Sequence, residues 1–538
     1  MKLALRVAAL SLIVALGAGG TGAADTGPRR VDARFARPRT EGLTAARLAP
    51  RSTRTLSPGL QPAGTGALVP VADGGFAAIA GGGDISPADP TGAGGVAHVF
   101  TAVNIEYAVY SRAAATSPTT PGIPLTAGTL ESLFPGLPGG SFVFDPKVVY
   151  DPYRGQFVLV FLAGHGAPFG PGLKRSWILV VTIPDATASD PNTWCRRRFP
   201  GDQVKKNGIQ FADYPGLGFD RKRVYVTTNQ FAFTGGDQFE YAQILALWKS
   251  NLYRCGKKVR REVFAEEATQ DPTGEPAFTI QPAITEGASG RTPEFLISFQ
   301  DRSCGNFCGK RLTVWSIRKR KGRGLTLGRE AVDVAQGRIA PLGTQKDGSA
   351  TCSVIEHCWD AGDLRLVTSF YDAPRSRLYT AHAVRLDVAP GDGYVESVVR
   401  WYEIDPSPID KAKVTRRGDL GESGRDGGWA AVATDGAGNL FVTYSRAGAP
   451  GTGEYLSAVA ATIPPGATAP DAVTVLFPGE ALYVQDLGRP QRWGDFNAAN
   501  RDPIDPLDVW LVNQFAKADL DGPPSPLWQQ TVHRTSFG

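Results

Sequence analysis

The sequence has 538 residues, with 57 lysines and arginines against 52 aspartates and glutamates, and a formal net charge of +5. A net charge this small for the length argues against nucleic acid as a partner. The 64 glycines and 41 prolines, with 20% charged residues, favour a turn-rich fold over long helices.

The first residues have the layout of an export signal. A short basic start is followed by an apolar run from Val7 to Leu16 and by small residues before Asp25. This pattern predicts a signal peptide over residues 1–24. The apolar run is too short to span a bilayer, and no later segment is long and apolar enough to do so. We therefore expect a secreted or periplasmic protein with no membrane span, present as a monomer.

Residues 25–83 are rich in alanine, glycine, proline and arginine and show no sustained periodicity. Such a composition predicts a disordered or loosely attached lead-in rather than a domain. The remaining residues, 84–538, carry a repeat and are expected to form one domain.

The repeat begins with a polar residue and an apolar stretch, then has an Asp-centred turn and a second apolar stretch. Its six clear copies open at Asp145, Asp213, Gln281, Arg365, Trp429 and Asp495. A third strand-like run follows in most copies, with no helical pattern between the runs. Units of three or four short strands at this spacing predict the blades of a β-propeller. Residues 86–134 contain two further strands, so we expect an all-β propeller of seven blades.

Four segments carry a resemblance to a known family. They are DISPADPTGAGGVAHVFTAVN from Asp84, FDPKVVYD from Phe144, ADYPGLGFD from Ala212 and RWGDFNAANRDP from Arg492. Together they resemble a family of secreted bacterial seven-bladed propellers that is distantly related to sialidase-like and Asp-box propellers. The resemblance implies the fold but no activity, because most members of that family lack an assigned one. The Asp-box motif, S-x-D-x-G-x-T-W, is absent from this sequence.

The loops joining the second and third strands of each unit are long and rich in glycine and proline. They cover residues 164–174, 233–240, 384–394, 446–453 and 517–526. Long loops on one face of a rigid scaffold are where binding sites usually lie. The residues that open the innermost strands should ring the channel on that same face.

These opening positions supply the candidate ligand-binding residues at the channel mouth: Asp145, Asp213, Gln281, Arg365, Trp429, Arg492 and Asp495. Asp145, Asp213 and Asp495 are also candidate ligands for calcium or magnesium, which prefer oxygen donors. Alternatively, the ring could hold a polar ligand such as a sugar, with stacking on Trp429 and an anionic group on Arg365 or Arg492. A purely structural role in the turns stays open, since Asp at such positions often only accepts backbone hydrogen bonds.

Two functions compete on this basis. The first is a binding or scaffold module that takes a glycan, a small polar ligand or a protein at its loop-rich face. The alternative is a sialidase-like, glycan-active hydrolase, which needs paired carboxylates. No catalytic spacing singles out such a pair, and the sequence lacks G-x-S-x-G, H-E-x-x-H and P-loop motifs. Binding is therefore favoured over catalysis, and no catalytic residue is assigned.

The six cysteines are predicted to form disulfides, as expected in an exported chain. They are Cys195, Cys255, Cys304, Cys308, Cys352 and Cys358. The first two occupy equivalent outer positions of neighbouring units and are expected to pair. The other four either clasp two segments of the loop-rich face together or each close a short local loop, and we favour the clasp.

Overall fold

The computed structural model describes residues 70–81, 85–115, 121–166, 173–201, 210–232, 238–299, 308–320, 322, 324–349, 352–387, 395–518 and 527–537. The predicted signal peptide and residues 25–69 of the lead-in lie outside this set. Among the described residues, no helix is long and apolar enough to cross a membrane.

The regular secondary structure of the described chain is almost entirely β-strand. The first strands are β1 (Pro70–Ala80), β2 (Thr91–Gly94), β3 (His98–Val103), β4 (Glu106–Ser111), β5 (Thr126–Thr129), β6 (Ser141–Asp151), β7 (Gln156–Gly166), β8 (Leu173–Pro184), β9 (Cys195–Pro200), β10 (Gln210–Phe219), β11 (Arg223–Ala232), β12 (Gln238–Trp248), β13 (Arg261–Phe264), β14 (Gln281–Pro282) and β15 (Ile284–Glu286). They are followed by β16 (Glu294–Phe299), β17 (Cys308–Lys319), β18 (Leu325–Arg338), β19 (Ser369–Asp372), β20 (Arg377–Asp387), β21 (Val395–Asp405), β22 (Lys413–Leu420), β23 (Arg425–Thr434), β24 (Leu440–Gly448), β25 (Ser457–Ile463), β26 (Ala472–Phe477), β27 (Ala498–Arg501), β28 (Asp508–Lys517) and β29 (Leu527–Phe537). One short helix, α1 (Lys249–Leu252), and single 3-10 turns complete the described secondary structure.

The strands form five separate four-stranded sheets and one nine-stranded sheet. Strands β2, β6, β10 and β14 contact one another in that order, β15 lies between β10 and β19, and β19, β23 and β27 continue the series back to β2. A closed ring of radial antiparallel sheets is a β-propeller, so the all-β propeller expected from the repeat is confirmed.

The blade count differs from the expectation of seven. Strands β10–β13 and β19–β22 are two antiparallel sets that β15 joins into the nine-stranded sheet through parallel pairs. Only one residue pair, Phe219 with Ile284, links β15 to β10. The structure therefore supports five separate four-stranded blades. A connection of one residue pair produces no recurring pattern in the sequence, so the joining of the two strand sets could not be predicted from the repeat.

The ring is closed by strands from both ends of the described chain. The order of that sheet is β1-β29-β28-β27, with Phe76 of β1 opposite Val532 of β29. Residues 70–80, which the composition placed in the lead-in, therefore form an outer strand of the propeller. β1 covers the edge of β29 and becomes the outer edge of the sheet, and its hydrogen bonds with β29 compensate for the weak strand propensity of a glycine-containing segment.

The core lies between neighbouring sheets. In β7 the sequence FVLVFLAG is buried throughout, because sheets cover both of its faces. Phe144 of β6 and Phe211 of β10 stack across one such junction, with ring centroids 5.2 Å apart. Outer strands alternate between half-buried and exposed residues, as in β22.

The aspartates at the ends of the innermost strands are structural. Asp220 Oδ1 accepts a hydrogen bond from Arg223 N at 2.7 Å, Asp435 Oδ1 accepts from Gly438 N at 2.7 Å, and Asp502 Oδ1 accepts from Ile504 N at 2.7 Å. These carboxylates cap the turns that join the first and second strands, which is the usual role of Asp in a tight turn.

The disulfides confirm part of the pairing predicted from the sequence. Cys195 and Cys255 are bonded, with Cα atoms 4.9 Å apart, so the predicted pair is confirmed. Cys352 and Cys358 are bonded to each other and close a short local loop. The clasp between two segments is therefore wrong. Cys308 is also disulfide-bonded, and Cys304 lies outside the described residues.

Candidate functional site at the channel mouth

The mouth of the channel is built from irregular starts of the innermost strands. The pairing of β6, β10 and β23 with the next strand shifts register near the start of each strand. One residue at each shift has positive φ: Asp145 at 54°, Tyr214 at 52° and Trp429 at 53°; Asp89, just before β2, has 51°. A bulge re-aims the side chain at that point, and its repetition around a ring turns several side chains toward one region.

This face is also the loop-rich one. Ser141 at the start of β6 pairs with His165 at the end of β7, so the loop that follows β7 lies beside the mouth. Much of the predicted loop surface, at 167–172, 233–237, 388–394 and 519–526, falls outside the described residues.

The structure brings Asp145, Asp213 and Asp495 together and adds a fourth carboxyl group, that of Asp89. Tyr214 N donates a hydrogen bond to Asp145 Oδ2 at 3.2 Å, and Asp495 N donates one to Asp89 Oδ1 at 2.7 Å. All four aspartates are buried. We call them the acidic cluster.

Asn104 links two members of the acidic cluster. Its Nδ2 donates to Asp89 Oδ2 at 2.6 Å, and its Oδ1 accepts from Asp145 N at 2.8 Å. The amide therefore fixes the positions of both residues at once.

Burial dominates the electrostatics of the acidic cluster. Burial, followed by repulsion from Asp495, raises the pKa of Asp89 to about 7. Burial also raises the pKa of Asp213 to about 7, although the nearby Arg365 opposes the shift. The pKa of Asp145 is raised well above its usual range by burial and then by the charge of Asp213. A carboxyl group taken out of water favours its neutral form, so this site can hold protonated acids near neutral pH.

Two arginines border the acidic cluster. Arg492 Nη2 lies 3.1 Å from Asp495 Oδ2. Arg365 donates through Nε to both oxygens of Asp363, at 2.8 and 3.0 Å, and its Cζ lies 4.0 Å from the centre of the Tyr214 ring. The Asp363 pair and the tyrosine ring together fix the orientation of the Arg365 guanidinium group.

One donor group and one acceptor group at the mouth have hydrogen-bonding capacity that the described residues do not use. Asp213 Oδ1 is buried and has no hydrogen-bond partner within the described structure. The η nitrogens of Arg365 likewise have none among the described residues, since its contacts are those to Asp363 and Tyr214. Arg365 influences the pKa of Asp213, but the two form no ion pair within 4.0 Å.

Two of the residues predicted to line the channel mouth, Trp429 and Gln281, have surroundings that differ from the expected ones. Trp429 is buried, its Nε1 donates to Asp360 O at 2.7 Å, and it belongs to the same hydrophobic cluster as Tyr214 and Phe496. Because the ring is buried, it is not an open stacking surface for a sugar. Gln281 lines a cavity deeper in the channel.

Metal binding stays a prediction. Within the described ranges, no group of three or more His, Cys, Asp or Glu side chains has the arrangement of a metal site. The carboxylates of Asp145, Asp213 and Asp495 are close, but two backbone N–H groups and Arg492 take part in the same cluster.

Asp89, Asn104 and Tyr214 belong to this site but were not among the candidate residues. Asp89 carried a usable signal, because Asp89-Pro90 repeats the dipeptide Asp145-Pro146. Asn104 and Tyr214 carried none, since neither occupies an opening position of the repeat.

No family model matches the chain, and none of the curated proteins matches it. Solved structures match at low identity. A protein of unknown function from Dyadobacter fermentans is 14% identical over 74% of this chain and 100% of its own, with a TM-score of 0.35. An α-L-arabinofuranosidase from Fusarium graminearum with an iminosugar inhibitor is 8% identical over 86% and 97%, with a TM-score of 0.38. A Trypanosoma rangeli sialidase with the inhibitor DANA is 10% identical over 72% and 54%, with a TM-score of 0.35. Likenesses this distant assign no activity to the chain.

Proposed function

We propose that this protein is an exported β-propeller that binds a polar, hydroxyl-rich ligand of the glycan class at the mouth of its channel. The observation that carries the proposal is the unused hydrogen-bonding capacity of two nearby groups, Asp213 Oδ1 and the η nitrogens of Arg365. A hydroxyl group can donate to a carboxyl oxygen and accept from a guanidinium group at the same time, so it suits this pair of groups. A glycan offers several such hydroxyls to the arginines and carboxyl groups of the mouth.

Binding should be tested by calorimetric titration of neutral and anionic oligosaccharides into the mature protein. For a ligand that binds, the Arg365→Met variant should bind about 10- to 100-fold more weakly, the usual cost of losing a charge-assisted hydrogen bond. Arg311→Met, which alters a partly exposed arginine on β17, the third strand of another blade, is the matched control and should bind like the unaltered protein. Equal affinity in the Arg365→Met variant would contradict the proposal, provided that its melting temperature is unchanged.

A second candidate is hydrolysis of a glycoside. It is supported by raised carboxyl pKa values beside other carboxylates, a combination that supplies a general acid near neutral pH. Chromogenic glycosides, including an α-sialoside and an α-arabinofuranoside, provide the assay. Turnover that is lost in Asp145→Asn and follows a bell-shaped pH profile would favour the enzyme. Ligand binding without turnover would leave the binding module.

We also propose that the nine-stranded sheet is two blades bridged by β15, which would make seven units in all. Export through cleavage before Asp25 is part of the same proposal, and the disulfides are consistent with it. Mass spectrometry of the protein recovered from the producing cells and their medium tests the cleavage position and the location together.

A further inference from the structure

A small cavity lies on the channel axis, deeper than the acidic cluster. Residues of β2, β6, β10, β14, β15, β19 and β27 line it, with Lys147, Gln281, Ser369, Asn497 and Asn500 as its main polar side chains. The space within it in which the centre of a water molecule can lie has a volume of about 20 Å³. That is room for one or two water molecules and too little for a sugar ring.

Four polar atoms of the cavity wall have no partner within the described structure. They are Gln281 Nε2, Ser369 Oγ, Asn497 Oδ1 and Asn500 Oδ1, on side chains that are almost fully buried. A buried polar group without a hydrogen bond costs free energy, so four on one cavity point to an occupant.

The two asparagine amides have defined orientations. Asn497 Nδ2 donates to Trp429 O at 2.6 Å, and Asn500 Nδ2 donates to Gly92 O at 3.0 Å. Turning either amide over would place an oxygen against a carbonyl oxygen. Both Oδ1 atoms therefore remain as acceptors, and the occupant must be able to donate hydrogen bonds.

Among the described residues that line the cavity, Lys147 is the one with a charged side chain. Its Nζ donates to Val367 O at 3.1 Å and lies 3.6 Å from the centre of the Phe496 ring. No described carboxylate lies within 4.0 Å of it. Burial lowers the pKa of Lys147 to about 7, although the charges of Asp89, Asp145 and Asp495 oppose this shift. Two of its three N–H groups still need acceptors.

We propose that the cavity binds one or two water molecules that hydrate Lys147, and that this ammonium group takes the place of a metal ion in the channel. A metal ion would be repelled by the lysine, and an anion would face the two asparagine oxygens. Water alone accepts from Lys147 and Gln281 while donating to Asn497 and Asn500. This inference is independent of the proposed ligand at the mouth.

A crystal structure of the mature protein tests the proposal directly, with parallel soaks in rubidium chloride and sodium bromide. We expect water density within hydrogen-bond distance of Lys147 Nζ and Asn500 Oδ1, and no anomalous peak in the cavity. A rubidium peak, a bromide peak or a dry cavity would each overturn the inference.

Water-oxygen magnetic relaxation dispersion provides a test in solution. The Asn500→Leu variant should lose one or two long-lived internal waters, and the exposed Asn192→Ala variant should lose none. An unchanged count in a folded Asn500→Leu protein contradicts the proposal. If that variant does not fold, the crystal experiment on the unaltered protein still decides.

Discussion

Replacing Asp213 with asparagine should change the pH dependence of stability in a defined direction. The pKa of this carboxyl group is raised from 3.8 to about 7 in the folded protein. Between these values the folded protein keeps a proton that the unfolded chain releases, so Asp213 lowers stability progressively as pH rises. The cost is absent below the unfolded pKa and complete above the folded one.

The magnitude follows from the size of the shift. A rise of about three pKa units, at about 1.4 kcal/mol each, corresponds to about 4 kcal/mol between pH 4 and pH 8. Asparagine has the same shape and does not ionise. The free energy of unfolding of Asp213→Asn, relative to the unaltered protein, should therefore increase by about 4 kcal/mol across this pH range.

The assay is urea unfolding at a series of pH values, followed by the fluorescence of the ten tryptophans. Asp333→Asn is the control, because the Asp333 side chain is 83% exposed and pairs only with a partly exposed arginine. Its difference from the unaltered protein should stay nearly constant with pH. A relative change below about 1 kcal/mol for Asp213→Asn would refute the argument that burial holds this carboxyl group in its protonated form.

Three further outcomes are expected. Removing the Cys195–Cys255 disulfide, which joins residues 60 positions apart, should lower the free energy of unfolding by about 4 kcal/mol, whereas removing Cys352–Cys358, with a separation of 6, should lower it by about 2 kcal/mol. Denaturant titrations measure both losses, and equal losses would contradict the argument from loop length. By the same measurement, Gly428→Ala should lower the free energy of unfolding by roughly 1–3 kcal/mol, because the new Cβ would lie 2.0 Å from a backbone oxygen. The control Gly136→Ala should leave it unchanged, because no atom lies within 4 Å of the new Cβ. If Asp145, Asp213 and Asp495 bind calcium or magnesium, millimolar calcium should raise the melting temperature above its value in chelator; equal melting temperatures would contradict metal binding at the acidic cluster.

The repeat in the sequence was sufficient for the fold class and for part of the site. In a closed ring, equivalent positions of successive units face the same axis, so aligning the copies was enough to expect Asp145, Asp213 and Asp495 to converge. The same logic paired Cys195 with Cys255, which occupy equivalent outer positions of neighbouring units.

What lies outside the repeat was decided by tertiary structure. Residues 70–80 form a strand only because β29 offers them an edge, and β15 joins two strand sets through contacts too short to leave a periodic pattern. Asn104 and Lys147 are ordinary polar residues in the sequence. Asn104 becomes important because it is buried beside two carboxyl groups, and Lys147 because it is buried beside amide oxygens without partners. Segments distant in the chain bring these groups together. The energy of a buried charge depends on everything packed around it, and that environment exists only once the ring has closed.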